Sequence, residues 1–161
     1  MKVAEESRQL LAALGRVPSG LFVLTLARNG LETGMLASWV QQCSFDPPMV
    51  SVAVRQGREM AGLLTADSLF TLNVLDDSQT DMIAHFGKGF CLGEPAFIDL
   101  EVLPNDGGGP ILAEALAFLN ARVAGQFAAG DHNLVAAQVV GGRVLSEGHP
   151  MVHIRKSGSH Y

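Results

Sequence analysis

Asn29-Gly30 stands between two apolar runs, residues 20–27 (GLFVLTLA) and 31–38 (LETGMLAS). A two-residue Asn-Gly connection suits the hairpin turn that needs positive φ at both positions, because its twist matches that of antiparallel strands. The chain is thus committed early to a β-hairpin. The first run is almost continuously apolar and contains Val, Phe and Thr, which predicts a strand buried on both faces.

Strand patterns recur downstream. Asp46-Pro47-Pro48 breaks the chain, and residues 49–55 (MVSVAVR) alternate as a strand. Residues 57–66 read as a helix, 68–75 as a strand and 78–86 as a second short helix. Residues 87–98 read as loop and 99–103 as a brief strand. The cluster at 105–110 (NDGGGP) is a turn or loop. Residues 116–127 and 133–145 read as long strands, with a bulge at Gly141-Gly142, and 152–154 as a closing strand. At the start, residues 3–14 place Val3, Leu10, Leu11 and Leu14 on one side of a helix that Gly15 ends. Strands do not alternate with long helices, so a doubly wound parallel sheet is disfavoured. No G-x-G-x-x-G follows a strand. The expected architecture is an all-β barrel with short helices, in a single domain over 1–161 that includes an N-terminal helix over 1–15.

Composition narrows the function classes. Charged residues make up only 17% of the 161 residues while hydrophobic residues make up 48%, which excludes intrinsic disorder. So few ionic groups on a small domain predict surface hidden in an oligomer or under a flat ligand. The net charge of −5, with basic residues forming no run, argues against nucleic-acid binding. Cys43 and Cys91 form no C-x-x-C or disulfide framework, so a reducing, cytoplasmic setting is expected. No run approaches the ~20 apolar residues of a membrane span, and the acidic N-terminus does not resemble a signal peptide.

Three constellations carry candidate chemistry. Gly34-Met35-Leu36-Ala37-Ser38-Trp39 ends a strand, where small residues let backbone N–H groups approach a flat ligand or its phosphate; the plain alternative is an ordinary strand end. Arg55-Gln56-Gly57-Arg58 lies between a strand and a predicted helix, a setting that favours anions; the alternative is two solvated arginines. Gly130-Asp131-His132 puts a histidine at a loop edge, where it can titrate near neutrality; the alternative is a surface turn. Histidine spacing supports no metal site, and no serine has a G-x-S-x-G setting. Cys43, beside polar residues on a strand, is a candidate nucleophile or a small hydrophobe. Trp39 is a candidate stacking platform or a core filler.

Taken in order, these segments resemble the flavin reductase-like family, the FMN-binding split barrels. The likeness rests on Arg16-Val-Pro-Ser-Gly20, Gly34-Met-Leu-Ala-Ser-Trp39, Phe45-Asp-Pro-Pro48, Phe70-Thr-Leu-Asn-Val-Leu75 and Gly130-Asp-His132. Met35-Leu-x-Ser-Trp-Val40, His85-Phe86 and the ending His153-x-Arg-Lys-Ser-Gly-x-His-Tyr161 are similar to the C-terminal reductase module of cyanobacterial flavodiiron proteins. No His-x-Glu-x-Asp ligand set occurs, so oxygen reduction at iron is not carried over. Where the family has Thr this chain has Leu36, so a hydroxyl contact is lost there.

The resemblance implies an all-β split barrel of FMN-binding Greek-key type, a homodimer with flavin near its interface, and NAD(P)H:flavin oxidoreductase activity. It implies FMN as cofactor and NADH or NADPH as reductant. Met35, Leu36, Ala37 and Ser38 would line the isoalloxazine and ribityl chain. Gln42, Cys43 and Ser44 would border the flavin N5 and pyrimidine edge. Arg55 and Arg58 would hold the phosphate; Phe86 would either close the ring pocket or serve as helix core, and Tyr161 would cover the flavin of either subunit. His132 would orient the nicotinamide. The electron acceptor implied is free flavin, a monooxygenase partner, ferric iron or another protein. Two alternatives stand beside this reading: a flavin-carrying electron-transfer module with little NAD(P)H activity, and a small-molecule-binding barrel with no redox role.

Overall fold

The computed structural model describes residues 2–160. In chain order the elements are α1 (Lys2–Gly15), β1 (Ser19–Gly20), β2 (Phe22–Arg28), β3 (Leu31–Ala37), β4 (Val40–Phe45), β5 (Pro48–Arg55), α2 (Glu59–Leu63), β6 (Leu69–Val74), α3 (Asp81–Gly87), β7 (Val102–Leu103), β8 (Ile111–Leu112), β9 (Ala117–Ala129), β10 (His132–Val144) and β11 (Val152–His153). Seven strands form one antiparallel sheet in the order β3-β2-β6-β9-β10-β5-β4. Its two edges, β3 and β4, are consecutive in the chain and joined only through Ser38-Trp39. So short a link forces the edges together without pairing them. The sheet therefore curls into a barrel whose wall is split at this joint.

Asn29 and Gly30 take φ of 53° and 77°, and Arg28 pairs with Leu31, as the hairpin requires. β2 is buried on both faces for a visible reason. Leu24 and Leu26 join Val52, Val54, Phe70 and Leu72 in one cluster. Val23 joins Leu75, Met82 and Phe86 in another, beneath α3. Alternation sends successive side chains to opposite faces, and both faces are covered.

β9 and β10 pair over most of their length, with a register shift between Val139 and Gly141 and a second between Ala136 and Ala137. The bulge falls at Val140, one residue before the glycine pair. The helix expected over 57–66 is trimmed to Glu59–Leu63, because Gly57 has φ +84° and Arg58 is extended. The strand expected over 99–103 shrinks to Val102–Leu103, since Asp99 sits at φ +62°. β4 pairs with β5 across a tight turn at Asp46-Pro47.

Two segments close on this frame. The loop 105–110 packs onto β2, β6 and β9. Asn73 donates to the Val23 carbonyl and accepts from the Leu112 amide at 2.8 Å. Thr25 donates to the Pro110 carbonyl at 2.7 Å, and the Asn105 and Asn120 amides bond reciprocally. Gly109 is pressed so close that an added Cβ would lie 2.3 Å from the Leu26 nitrogen. The chain's end returns through β11, which pairs with β1, and then docks on the last turn of α1. There the Gly158 amide donates to the Leu11 carbonyl at 2.7 Å. Before that turn, Leu10 is exposed.

Candidate functional site

The split in the barrel wall positions the site. As β3 runs into the Ser38-Trp39 joint, its side chains meet the start of α2 and the end of α3. Met35, Leu36, Ala37, Ser38, Arg55 and Arg58 all line one cavity of about 270 Å³, which Ile83 and Gly87 of α3 complete. The six residues that the sequence put forward from two separate segments thus share one wall. The cavity is largely apolar along β3 and α3 and cationic at β5 and α2.

Ser38 is buried and its Oγ has no hydrogen-bond partner. An unsatisfied buried hydroxyl costs about 1–3 kcal/mol, which a bound polar ligand would recover. Arg55 makes no side-chain hydrogen bond to the described residues and is exposed at the end of β5. Arg58 is partly committed: its guanidinium donates to the carbonyls of Lys88, at 2.5 Å, and Gly87. A cation there complements the negative end of α3. Gly89, with φ +71°, leaves room, since a Cβ would lie 2.7 Å from the Arg58 Nη1. The anion setting expected at a helix start is therefore an arginine pair at a cavity rim, because α2 is a single short turn.

A second cavity of about 420 Å³ adjoins the first, with Arg55 lining both. His132 lies on its wall, pairs with Arg55 across β10 and β5, and is buried. Its Nδ1 lies 2.7 Å from the Asp131 carboxylate, and its ring packs 4.8 Å from that of Trp39. The hydrogen bond from His132, aided by the charge of Arg55, holds the Asp131 carboxyl below the usual carboxylate range. Trp39 is thus engaged from one side by His132, and the Arg155 guanidinium lies 5.0 Å over its ring.

Other expected residues fall elsewhere. Gln42, Cys43 and Ser44 lie on the outward edge strand β4, and Gln42 and Cys43 are exposed; within one chain none of them lines either cavity. Phe86 is fully buried among His85, Phe90 and Phe97, so it is core rather than a lid. Gly34 serves that packing, since an added Cβ would lie 2.8 Å from the Phe86 ring. Tyr161 lies outside the described residues. Cys91 is exposed, and its hydrogen bond to Glu59, with the charges of Glu59 and Glu94, pushes the thiol up and away from the reactive thiolate. Among the described residues no cluster of three metal-ligating side chains forms, and no helix is long and apolar enough to cross a membrane.

The structure adds residues not singled out from the sequence. Ile83 and Gly87 arrive on α3, and Arg155, Ser159 and His160 on the terminal segment. The available signal for the latter was a basic Arg155-Lys156 pair, directly after a strand, in an acidic chain.

Comparison with known proteins agrees with this geometry. Residues 14–159 match the family described as the flavin reductase like domain. Putative diflavin flavoprotein A 3 of Synechocystis sp. is 40% identical over 157 residues, covering 97% of this chain and 26% of the relative. The chain therefore spans about a quarter of the length of such curated relatives. The Streptomyces globisporus C-1027 NADH:FAD oxidoreductase SgcE6, solved in complex with NAD and FAD fragments, superposes with a TM-score of 0.81 at 25% identity, over 95% of this chain and 90% of that one. The flavin reductase PheA2 in its native state superposes at 0.77 with 25% identity, over 93% of each chain. With a split barrel, a cavity at the split and a family match over nearly its whole length, the chain belongs to the flavin reductase-like domain family.

Proposed function

We propose that this chain is a cytoplasmic NAD(P)H:flavin oxidoreductase that binds FMN at the split of the barrel. The observation that carries the reading is a slot with apolar walls and an arginine pair at its rim, lined also by Ser38, whose buried hydroxyl has no partner. These residues fit a flat, hydrogen-bonding ring that bears a phosphate.

When bound, a flavin would supply the redox chemistry, hydride uptake at N5 from a nicotinamide C4. The chain's residues bind and orient. Met35, Leu36 and Ala37 flank the ring and exclude water from its faces. Ser38 hydrogen-bonds a polar atom of the ligand and so satisfies its own hydroxyl. Arg55 and Arg58 hold the phosphate with charge-assisted contacts worth about 1.5–3 kcal/mol each. His132, fixed by Asp131 and Trp39, holds the nicotinamide in reacting geometry, where orientation alone contributes strongly to rate. The chain works as a homodimer, so light scattering should give a mass about twice 17.0 kDa, and a clean monomer that still binds flavin tightly would reject this.

The test is a titration of Arg55→Ala/Arg58→Ala with FMN and with riboflavin. FMN should weaken roughly ten- to hundred-fold per arginine, and riboflavin little. Equal weakening of both would reject the phosphate assignment. Stopped-flow mixing of the FMN-bound wild type with NADH or NADPH under nitrogen should bleach the flavin. Bound flavin that neither dinucleotide reduces would identify an electron-transfer module instead, and a protein that binds no flavin would identify a barrel of another kind.

A further inference from the structure

The outer cavity, of about 420 Å³, has a charge pattern at odds with the rest of the molecule. The chain carries a net charge of −5, yet the guanidiniums of Arg55 and Arg155 converge here. Among the described residues on the wall Asp131 is the one acid, and it already accepts from His132 at 2.7 Å. A cleft that concentrates positive charge on an acidic protein selects anions.

Arg155 is prepared for that task. It is half-buried, and its guanidinium lies 5.0 Å over the Trp39 ring, within cation–π range. Its Nη2 donates to the Leu14 carbonyl at 3.4 Å, which ties it to the end of α1. The segment that carries it is held by the Gly158 amide on the Leu11 carbonyl. Two glycines allow the approach: a Cβ on Gly15 would lie 2.8 Å from the Arg155 carbonyl oxygen, and one on Gly158 would lie 2.4 Å from the Leu14 Cβ. A guanidinium held over an indole offers a planar fork that phosphate oxygens match. Arg55 lines both cavities and is claimed by the flavin phosphate under the reading above, whereas Arg155 lines the outer cavity alone.

We propose that Arg155 binds a phosphate group of the reducing dinucleotide, at a site separate from the flavin phosphate. This rests on the reading that a nicotinamide dinucleotide is the reductant. The phosphate has two sources: the diphosphate bridge that NADH and NADPH share, or the 2′-phosphate that NADPH alone carries.

Trp39 is the only tryptophan of the chain, and it touches both Arg155 and His132, so its fluorescence reports on the site directly. Wild type and Arg155→Gln would be titrated with adenosine, 5′-ADP and 2′,5′-ADP, and separately with FMN followed by flavin fluorescence. We expect both phosphorylated probes to bind wild type more tightly than adenosine. Arg155→Gln should weaken at least one of them roughly ten- to hundred-fold and leave FMN unchanged. Loss confined to 2′,5′-ADP assigns the 2′-phosphate and predicts a matching rise in KM for NADPH but not for NADH. Equal loss of both nucleotides assigns the 5′-phosphate that both carry, which is the adenosine end of the diphosphate bridge. Arg155→Lys, which keeps the charge without the fork, should lose less than Gln. The proposal falls if adenosine weakens as much as the nucleotides, if no probe responds, or if FMN weakens in step. A purely structural role would lower the melting temperature and leave the nucleotide-to-adenosine affinity ratio intact, which also overturns it. The titration needs no turnover. Arg155-dependent binding in a protein that neither dinucleotide reduces would reject only the reductase reading. Normal reduction with Arg155-independent binding would reject only this proposal.

Discussion

The 105–112 loop and the Ser38-Trp39 joint both press polar groups into the barrel's interior, yet they treat those groups in opposite ways. Under the loop, Thr25, Thr71 and Asn73 are fully buried, and each is hydrogen-bonded. Three successive glycines there let backbone meet backbone, with no room for a Cβ at Gly108 or Gly109. At the joint, the Ser38 hydroxyl is buried without a partner and Arg55 hangs beside open volume. A closed polar network rigidifies a fold, whereas an open one costs stability unless something else completes it. The first region holds the barrel shut, and the second is where the proposed function places the ligand.

That contrast can be broken by substitution. The largest effect should come from Gly109→Ala, whose Cβ would collide with the backbone of Thr25 and Leu26 at 2.3 Å. Unfolding by denaturant should show a loss of about 3 kcal/mol or more. Asn73→Leu comes next. It leaves the buried Leu112 amide without its acceptor, at a cost of about 2 kcal/mol. FMN affinity of the folded variant should hold.

Ser38→Ala reverses the pattern. Removing an orphaned hydroxyl should leave stability unchanged or raise it by up to about 1 kcal/mol. FMN should weaken several-fold, since one neutral hydrogen bond is worth about 0.5–1.5 kcal/mol. A Ser38→Ala protein destabilised as much as Asn73→Leu would erase the distinction between the two regions.

The smallest effect is a pH dependence at Asp131. Its carboxyl is held low by His132 in the fold, so the contact contributes stability above the ordinary carboxylate range. That contribution fades as pH falls through the group's own lowered value. The melting temperature of the wild type should exceed that of Asp131→Asn by a small, steady margin near neutrality, and the two should converge in acid. A margin that grows toward low pH would contradict the assignment.

Local chemistry made some of this legible in advance. The Asn29-Gly30 hairpin depends on two adjacent residues and a fixed turn geometry, and it appears where expected. The strands over β5, β6, β9 and β10 follow from alternation over long runs. β4 was harder to place, because Val40–Phe45 is an edge strand rich in polar residues and shows no apolar period. The helix at α2 was overestimated because its apolar pattern continues through Gly57 and Leu64, where the backbone leaves the helix. In the site, Met35–Ser38 and Arg55/Arg58 were readable as segments. The position of Phe86 was not, since a phenylalanine on a short amphipathic helix looks the same whether it faces a core or a cavity.

By itself the sequence determined the strands and turns, the absence of a repeat, and the ordered motifs that tie the chain to its family. Those properties are local, or depend on order alone. Only the tertiary structure decided that the two edges of the sheet meet at Ser38-Trp39 and leave a split. It also decided that Arg55 serves two cavities and that Arg155, a hundred residues further along, stacks on Trp39 beside it. These juxtapositions depend on how the curled sheet brings distant segments together, and curvature of that kind is a property of packed strands rather than of any short run of residues.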